Sequence, residues 1–149
     1  MSSLIDSCRD LENEIQVRIT NASDRQHAAD MLSLHYTGQP GMFPADFLPE
    51  TGIAATLHGK TLCIIPVYLE QSSTVAVLGH FIADDQVNRK RLRLAAIKAI
   101  EAAKRFAKAA GKKHLVSIFG RRSINRIADG LGFKNADRIE EKICYRGGN

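Results

Sequence analysis

Two hydrophobic periods divide the chain into segments. Residues 15–20, IQVRIT, alternate apolar and polar side chains and are rich in β-branched types, which predicts a strand. Ahead of it, SSLIDSCRDLENEI sets Leu4, Ile5, Cys8 and Leu11 on one narrow face, a short helix with Ser2 or Ser3 as its cap. Behind it, NASDRQHAADMLSLHYTGQP carries Ala28, Met31, Leu32 and Tyr36 at helical spacing. Ser23 or Asp24 is the expected cap there, and Gly38 with Pro40 the stop. Pro40, Pro44 and Pro49 then crowd the segment up to residue 52, which reads as a loop with at most one helical turn.

Three strand-like runs follow: IAATLH (53–58), TLCIIPVYLE (61–70) and TVAVLGHFIA (74–83). The GK at 59–60 and QSS at 71–73 are short enough for hairpins. Pro66 removes one ladder donor, so its surroundings are expected to hold a bulge or a sheet edge. Next, Leu92, Ala96, Ala99, Ile100, Ala103, Phe106, Ala107 and Ala110 fall in one sector of a helical wheel. Lys98, Glu101, Lys104, Arg105 and Lys108 fall opposite, and Gly111 follows at the position where left-handed geometry ends helices. HLVSIF (114–119) predicts a strand, SINRIADGLGF (123–133) a helix capped by Ser123 and stopped at Gly130 or Gly132, and RIEEKICYR (138–146) a last strand. The expected organisation is a helical extension over 1–14 and one domain over 15–149, without internal repeats.

Composition narrows the class. No apolar run approaches the ~18 residues of a membrane span, so no membrane partner is expected. The acidic N-terminal stretch does not read as a secretory signal, and a cytoplasmic location is the expectation. Cys8, Cys63 and Cys144 lie far apart with no metal-ligand or redox spacing, which predicts reduced thiols and no metal site.

Charge changes the picture more. Of 21 Lys and Arg, ten lie within residues 88–113, and Arg121, Arg122 and Arg126 follow. Such a cluster attracts phosphate, whether on a cofactor, nucleic acid or lipid. Arg89, Lys90, Arg91 and Arg93 at a helix start read either as a phosphate cradle or as a solvated turn. They oppose the helix dipole unless an anion compensates them. For Lys98, Lys104, Arg105 and Lys108 the default is a solvated face, because base recognition would want aromatic side chains and only Phe106 is near.

The element order, with two local matches, resembles the GNAT superfamily of acyl-CoA-dependent N-acetyltransferases. One match is HFIADDQVNRKRLRLAAIKAIEAAKRFAKAAGKKHLVSIF, a strand, a basic turn and a long helix; the other is RRSINRIADGLGF, with its Leu-Gly-Phe. The resemblance implies an α/β (α+β) fold with a mixed, mostly antiparallel sheet of about six strands flanked by helices. It implies acetyl-CoA as acyl donor and an amine as acceptor. It places the pantetheine arm along Phe81, Ile82 and Ala83, with a strand N–H near Phe81 or Ile82 holding the oxyanion. The diphosphate falls over Arg89, Lys90, Arg91, Leu92, Arg93, Leu94, Ala95 and Ala96, and Asn125 becomes a further cofactor contact.

The family pattern at that helix is Arg or Gln, two residues, Gly, one residue, Gly or Ala. Counting back from Gly111 gives Arg91-Leu92-Arg93-Leu94-Ala95-Ala96; counting forward from the strand sets arginines 89, 91 and 93 where glycines belong. No glycine occurs between Gly79 and Gly111. The tyrosine that often serves as general acid is replaced by Ala128, and Tyr145 lies on the expected last strand rather than at that position. His80 and Glu70 are the candidate catalytic bases, histidine being the side-chain type suited to proton transfer near neutral pH. The layout without glycines also resembles small GNAT-like virion proteins of short-tailed bacteriophages. A non-catalytic, virion-associated protein, a basic-helix nucleic-acid binder and a homodimer therefore stay open beside the enzyme.

Overall fold

The computed structural model describes residues 11–84 and 86–134. Its strands are β1 (Gln16–Ile19), β2 (Gly52–Leu57), β3 (Lys60–Leu69), β4 (Val75–Leu78), β5 (Ile82–Ala83) and β6 (His114–Ser117). The helices are α1 (Ala22–Thr37), α2 (Arg89–Ala109) and α3 (Arg122–Gly130), with a 3-10 turn at Ala45–Phe47. Sheet order is β1-β2-β3-β4-β6 with β5 also beside β3. All pairs are antiparallel except β4 with β6. The expected mixed, mostly antiparallel sheet is there.

Alternation explains the layers. Ile53, Ala55 and Leu57 on β2, with Cys63, Ile65 and Val67 on β3, face the core shared with α2 and α3. Ala54, Ile64 and Ile82 face the other way, onto Ala28, Ala29 and Leu32 of α1. Helices on both faces leave every residue of β2 buried, which is why its sequence reads as a continuous small apolar run. Cys63 is part of this core, and burial pushes its thiol up to about 12.

The run 74–83, expected as one strand, is two strands. Val67 donates to Thr51 on the β2 side, so alternation turns Pro66 toward β4 and β5. Its carbonyl accepts the Gly79 N–H at 2.8 Å, but it has no N–H to return. The ladder stops at Leu78 and resumes where Ile64 meets Ile82. The irregularity foreseen at Pro66 thus falls on its neighbour, while Pro66 sits in a central strand. Gly79 permits the crossing, since a Cβ there would lie 2.9 Å from the Tyr68 ring and 3.3 Å from Pro66.

Helix α1 is capped by Asn21, not by Ser23 or Asp24. Asn21 Oδ1 accepts the Asp24 N–H, and Asp24 accepts the Asn21 N–H, a closed capping box. Arg18 reaches from β1 to donate to both oxygens of Asp24, one at 2.8 Å. That contact first, with the Asn21 amide, holds the buried carboxyl below its usual range against the opposing effect of burial. Asp24→Ala should therefore cost about 2 kcal/mol at pH 7. Because the folded pKa is lowered, this contribution is complete above the unfolded value of about 3.9 and drains as pH falls through the folded one. Urea titrations should show the gap between wild type and variant steady from pH 5.5 to 7 and closing below pH 4. A gap that does not narrow as pH falls below 4 would contradict this assignment.

Helix α2 starts at Arg89 behind Asn88, whose Oδ1 accepts the Arg91 N–H at 2.9 Å. Gly111 at φ 80° follows the helix as expected. Its polar face is more engaged than a solvated face would be. Lys98 Nζ donates to Ile15 O at 2.9 Å and Lys104 Nζ to Leu131 O at 2.7 Å. Beyond the helix, Lys112 Nζ donates to Ser73 O at 2.7 Å. Helix α3 begins one residue before Ser123; Arg121 occupies its cap position without a side-chain bond, so Ser123 does not cap it. Residues 11–14 are helical, whereas the rest of the expected N-terminal helix, the strand expected at 138–146 and Tyr145 lie outside the described residues.

Candidate functional site

The broken strand opens a cleft. β4 and β6 run parallel from Val75 opposite His114 to Leu78 opposite Ser117, and Ile118 N–H still reaches Leu78 O at 2.9 Å. The last link is a long one, Phe81 N–H to Phe119 O at 3.3 Å. Beyond it β5 stays with β3, while the other chain turns at Gly120 (φ 73°) into α3. Between them and the C-terminal half of α1 lies a cavity of about 290 Å³. Its floor is apolar and buried: Phe81, Ile82, Ala83 and Phe119. Its polar groups are His35 and Tyr36 from α1, His80, Asp84 and Gln86 around β5, and Arg121.

The geometry of these groups is close. The Tyr36 and His80 rings meet edge-on with centroids 6.1 Å apart, and His35 packs on Tyr36 at 4.9 Å. A Cβ at Gly120 would lie 2.8 Å from His80 Nδ1, so only glycine lets this backbone pass the imidazole. The Arg121 guanidinium lies 6.0 Å from the Phe81 ring centroid. Because Ile64 and Ile82 form the bonded pair, the Ile82 N–H turns toward β3. The N–H groups of Phe81 and Ala83 turn toward the cleft, and Phe81 has already given its own to Phe119. A donor for negative charge in the cleft is thus Ala83 rather than Ile82.

The sequence-derived candidates separate in space. His80, Phe81, Ile82 and Ala83 come together at the cavity. Glu70 does not join them: Leu69 pairs with Ala76, which sets Glu70 beside the start of β4, whereas His80 follows its end. At ~3.3 Å per residue that is on the order of 15 Å. Ser72 donates its amide and hydroxyl to the Glu70 carboxylate and holds it below its usual range. Asn125 is exposed in the first turn of α3 and is absent from the cavity lining.

The helix start bears on the register left open between residues 89 and 96. Ala95 and Ala96 are fully buried, and Leu92 and Leu94 pack half-buried on the core. A register opening at Arg91 therefore begins too deep in the helix. Gln86-Val87-Asn88-Arg89-Lys90-Arg91 instead spans the turn and the cap, with Gln86 in the Arg/Gln slot and arginines in both small-residue slots. Arg89, Lys90, Arg91 and Arg93 are exposed and make no ion pair with a described residue. Asp84 Oδ1 accepts the Gln86 N–H and Asn88 takes that of Arg91. The amides of Arg89 and Lys90 donate to no described residue, which leaves two helix-opening N–H groups among four cations.

Among the polar cavity residues, His35, Tyr36, Gln86 and Arg121 escaped the sequence reading. Gln86 had a local signal, its place at the head of that hexapeptide. The other three arrive from distant segments and carry no local pattern. Ala128, where the resemblance sought a tyrosine, is 2% exposed within the core.

No protein-family model matches the sequence, and no curated protein matches it at significance. Solved structures do match by shape. The aminoglycoside N-acetyltransferase AAC(6')-Iy, bound to the bisubstrate analogue CoA-S-monomethyl-acetylneamine, is 16% identical with a TM-score of 0.60 over 83% of this chain and 92% of its own. The ribosomal-protein-alanine N-acetyltransferase of Brucella melitensis biovar Abortus 2308 is 17% identical, with a TM-score of 0.60 over 83% of this chain and 93% of its own. Ard1 from Thermoplasma volcanium is 13% identical, with a TM-score of 0.59 over 81% and 83%. Identities this low speak for the fold, and the fold of this chain is that of the GNAT acetyltransferases.

Proposed function

We propose that the protein transfers an acetyl group from acetyl-CoA to an amine. The parting of β5 from β6 over an apolar floor carries this reading, because it opens a slot for an extended thioester arm beside a strand edge that no described residue pairs. Neighbours of the same fold were solved with CoA or a CoA analogue. The residues present suit such a donor: an apolar cleft for the arm, the Ala83 N–H facing it, and two open amides among four cations for the diphosphate.

Acetyl-CoA supplies an activated thioester carbonyl. Phe81, Ile82, Ala83 and Phe119 exclude water from around it, and the Ala83 N–H stabilises negative charge developing on its oxygen. His80, exposed at the rim, takes the proton that the attacking amine gives up. Tyr36 packs edge-on against it and limits its swing. The phosphates lie at the α2 start, where Arg89, Lys90, Arg91 and Arg93 compensate their charge.

The basic helix supports this reading better than a nucleic-acid one, because Lys98 and Lys104 spend their donors on backbone carbonyls of the same chain. Isothermal titration with CoA and acetyl-CoA should give saturable heat with Kd between about 1 μM and 1 mM, the usual span for enzyme substrates. No heat at millimolar ligand would remove the proposal.

A further inference from the structure

The charges around the cleft bear on the acceptor. Among the described residues lining it, Asp84 is the single carboxylate, and one of its oxygens already accepts the Gln86 N–H at 2.9 Å. Arg121 is the cation among these described residues, and His35 and His80 add imidazoles beside it. Arg121 is half-buried and makes neither an ion pair nor a side-chain hydrogen bond with a described residue. Its guanidinium lies against the Phe81 ring, part of the cavity floor, with no described acid to neutralise it.

We infer that the acceptor is a small amine carrying its own carboxylate, an amino acid in chemical class, and that Arg121 selects it by pairing with that carboxylate. The inference rests on the acyl-transfer reading above and specifies its substrate. A planar guanidinium presents two parallel N–H donors that match a carboxylate, and a half-buried site strengthens the pair. A polycationic acceptor would meet, among the described residues, one engaged carboxylate and an arginine that none of them neutralises. Size agrees: about 290 Å³ is at the small end of ligand sites and must also hold the acetyl end of the donor. In the step, the amine nitrogen bonds to the acetyl carbon, the carbon–sulfur bond breaks, the thiolate leaves as CoA, and the amine proton passes to His80.

The test uses the full chain with acetyl-CoA and reads N-acetyl products by mass spectrometry. The acceptors are free L-amino acids, the carboxamide of each, and spermidine. Each acid and its amide share one amine and differ in the carboxylate alone. At least one acid should be acetylated with kcat/KM above that of its amide by a factor of about 10–100, the range for one charge-assisted contact. Arg121→Gln should bring that ratio close to one through the acceptor KM and leave the acetyl-CoA Kd, measured by titration, nearly unchanged. Arg121→Lys should keep part of the preference.

Amides or spermidine serving as well as the acids would overturn the inference while leaving acyl transfer intact. So would an Arg121→Gln variant that loses acetyl-CoA affinity and treats acids and amides alike, because Arg121 would then serve the donor. Absence of any acetyl-CoA binding would remove the acyl-transfer reading itself, and this inference with it.

Discussion

Phe119→Ala should destabilise the protein by about 3–5 kcal/mol, a large share of the ~5–15 kcal/mol that holds a domain of this size folded. Phe119 is 1% exposed and joins three elements. Its ring meets Phe81 edge-on with centroids 6.5 Å apart and Phe133 at 6.4 Å, and it packs in the core that α2 and α3 share with the sheet. Its carbonyl accepts the last hydrogen bond before the cleft opens. Truncation leaves a void that the neighbours cannot collapse into without moving β5. The shift should appear as a lower urea midpoint with an unchanged slope. Phe47→Ala is the matched comparison: that ring is 59% exposed, stacked only on Phe43, and its loss should stay within about 0.5 kcal/mol. Equal losses at the two positions would mean that the cleft floor is not part of the core.

Local pattern made β1, β2, β3, α1 and α2 legible: α1 and α2 each carry a buried stripe, β2 and β3 are apolar runs buried on both faces, and β1 was read from its alternation although Ile19 stays exposed. It failed where the deciding contact was remote. The run 74–83 keeps its apolar character through the break, so nothing within it announces two strands; the cause is Pro66 on the facing strand. The cap of α1 fell to Asn21 because Arg18, on the preceding strand, draws Asp24 into the third helical position. Ser123 resembled a cap by type, but α3 begins two residues too early for it.

The cavity lining was half legible for the same reason. His80 and residues 81–83 stand next to the basic turn in sequence, and the structure sets them together in that lining. Glu70 seemed a partner because it ends the adjacent run, but an antiparallel hairpin carries it to the far end of β4. Tyr36 and Arg121 reach the cavity from α1 and from beyond β6, joined to His80 only by the way the sheet folds.

Reversing two charges at the start of α2 should weaken binding and strengthen the fold together. Arg89→Glu with Arg91→Glu is expected to lower CoA affinity at least 100-fold, about 2.8 kcal/mol, which is the order of two lost charge-assisted phosphate contacts. For wild type, affinity should already fall as salt rises from 50 to 500 mM, because these side chains are exposed and their attraction is screened. Stability should move the other way. Both arginines stand in the first helical turn, whose dipole repels cations, and no described acid offsets them. Acids in that turn gain about 0.3–1 kcal/mol each, so the ligand-free double variant should melt higher than wild type. A cluster kept for solubility or as an ordinary wet face would give no such trade: affinity would hold, or both quantities would fall together. Opposite signs would identify the four cations as a cost that the folded chain carries in order to hold a phosphate-bearing ligand.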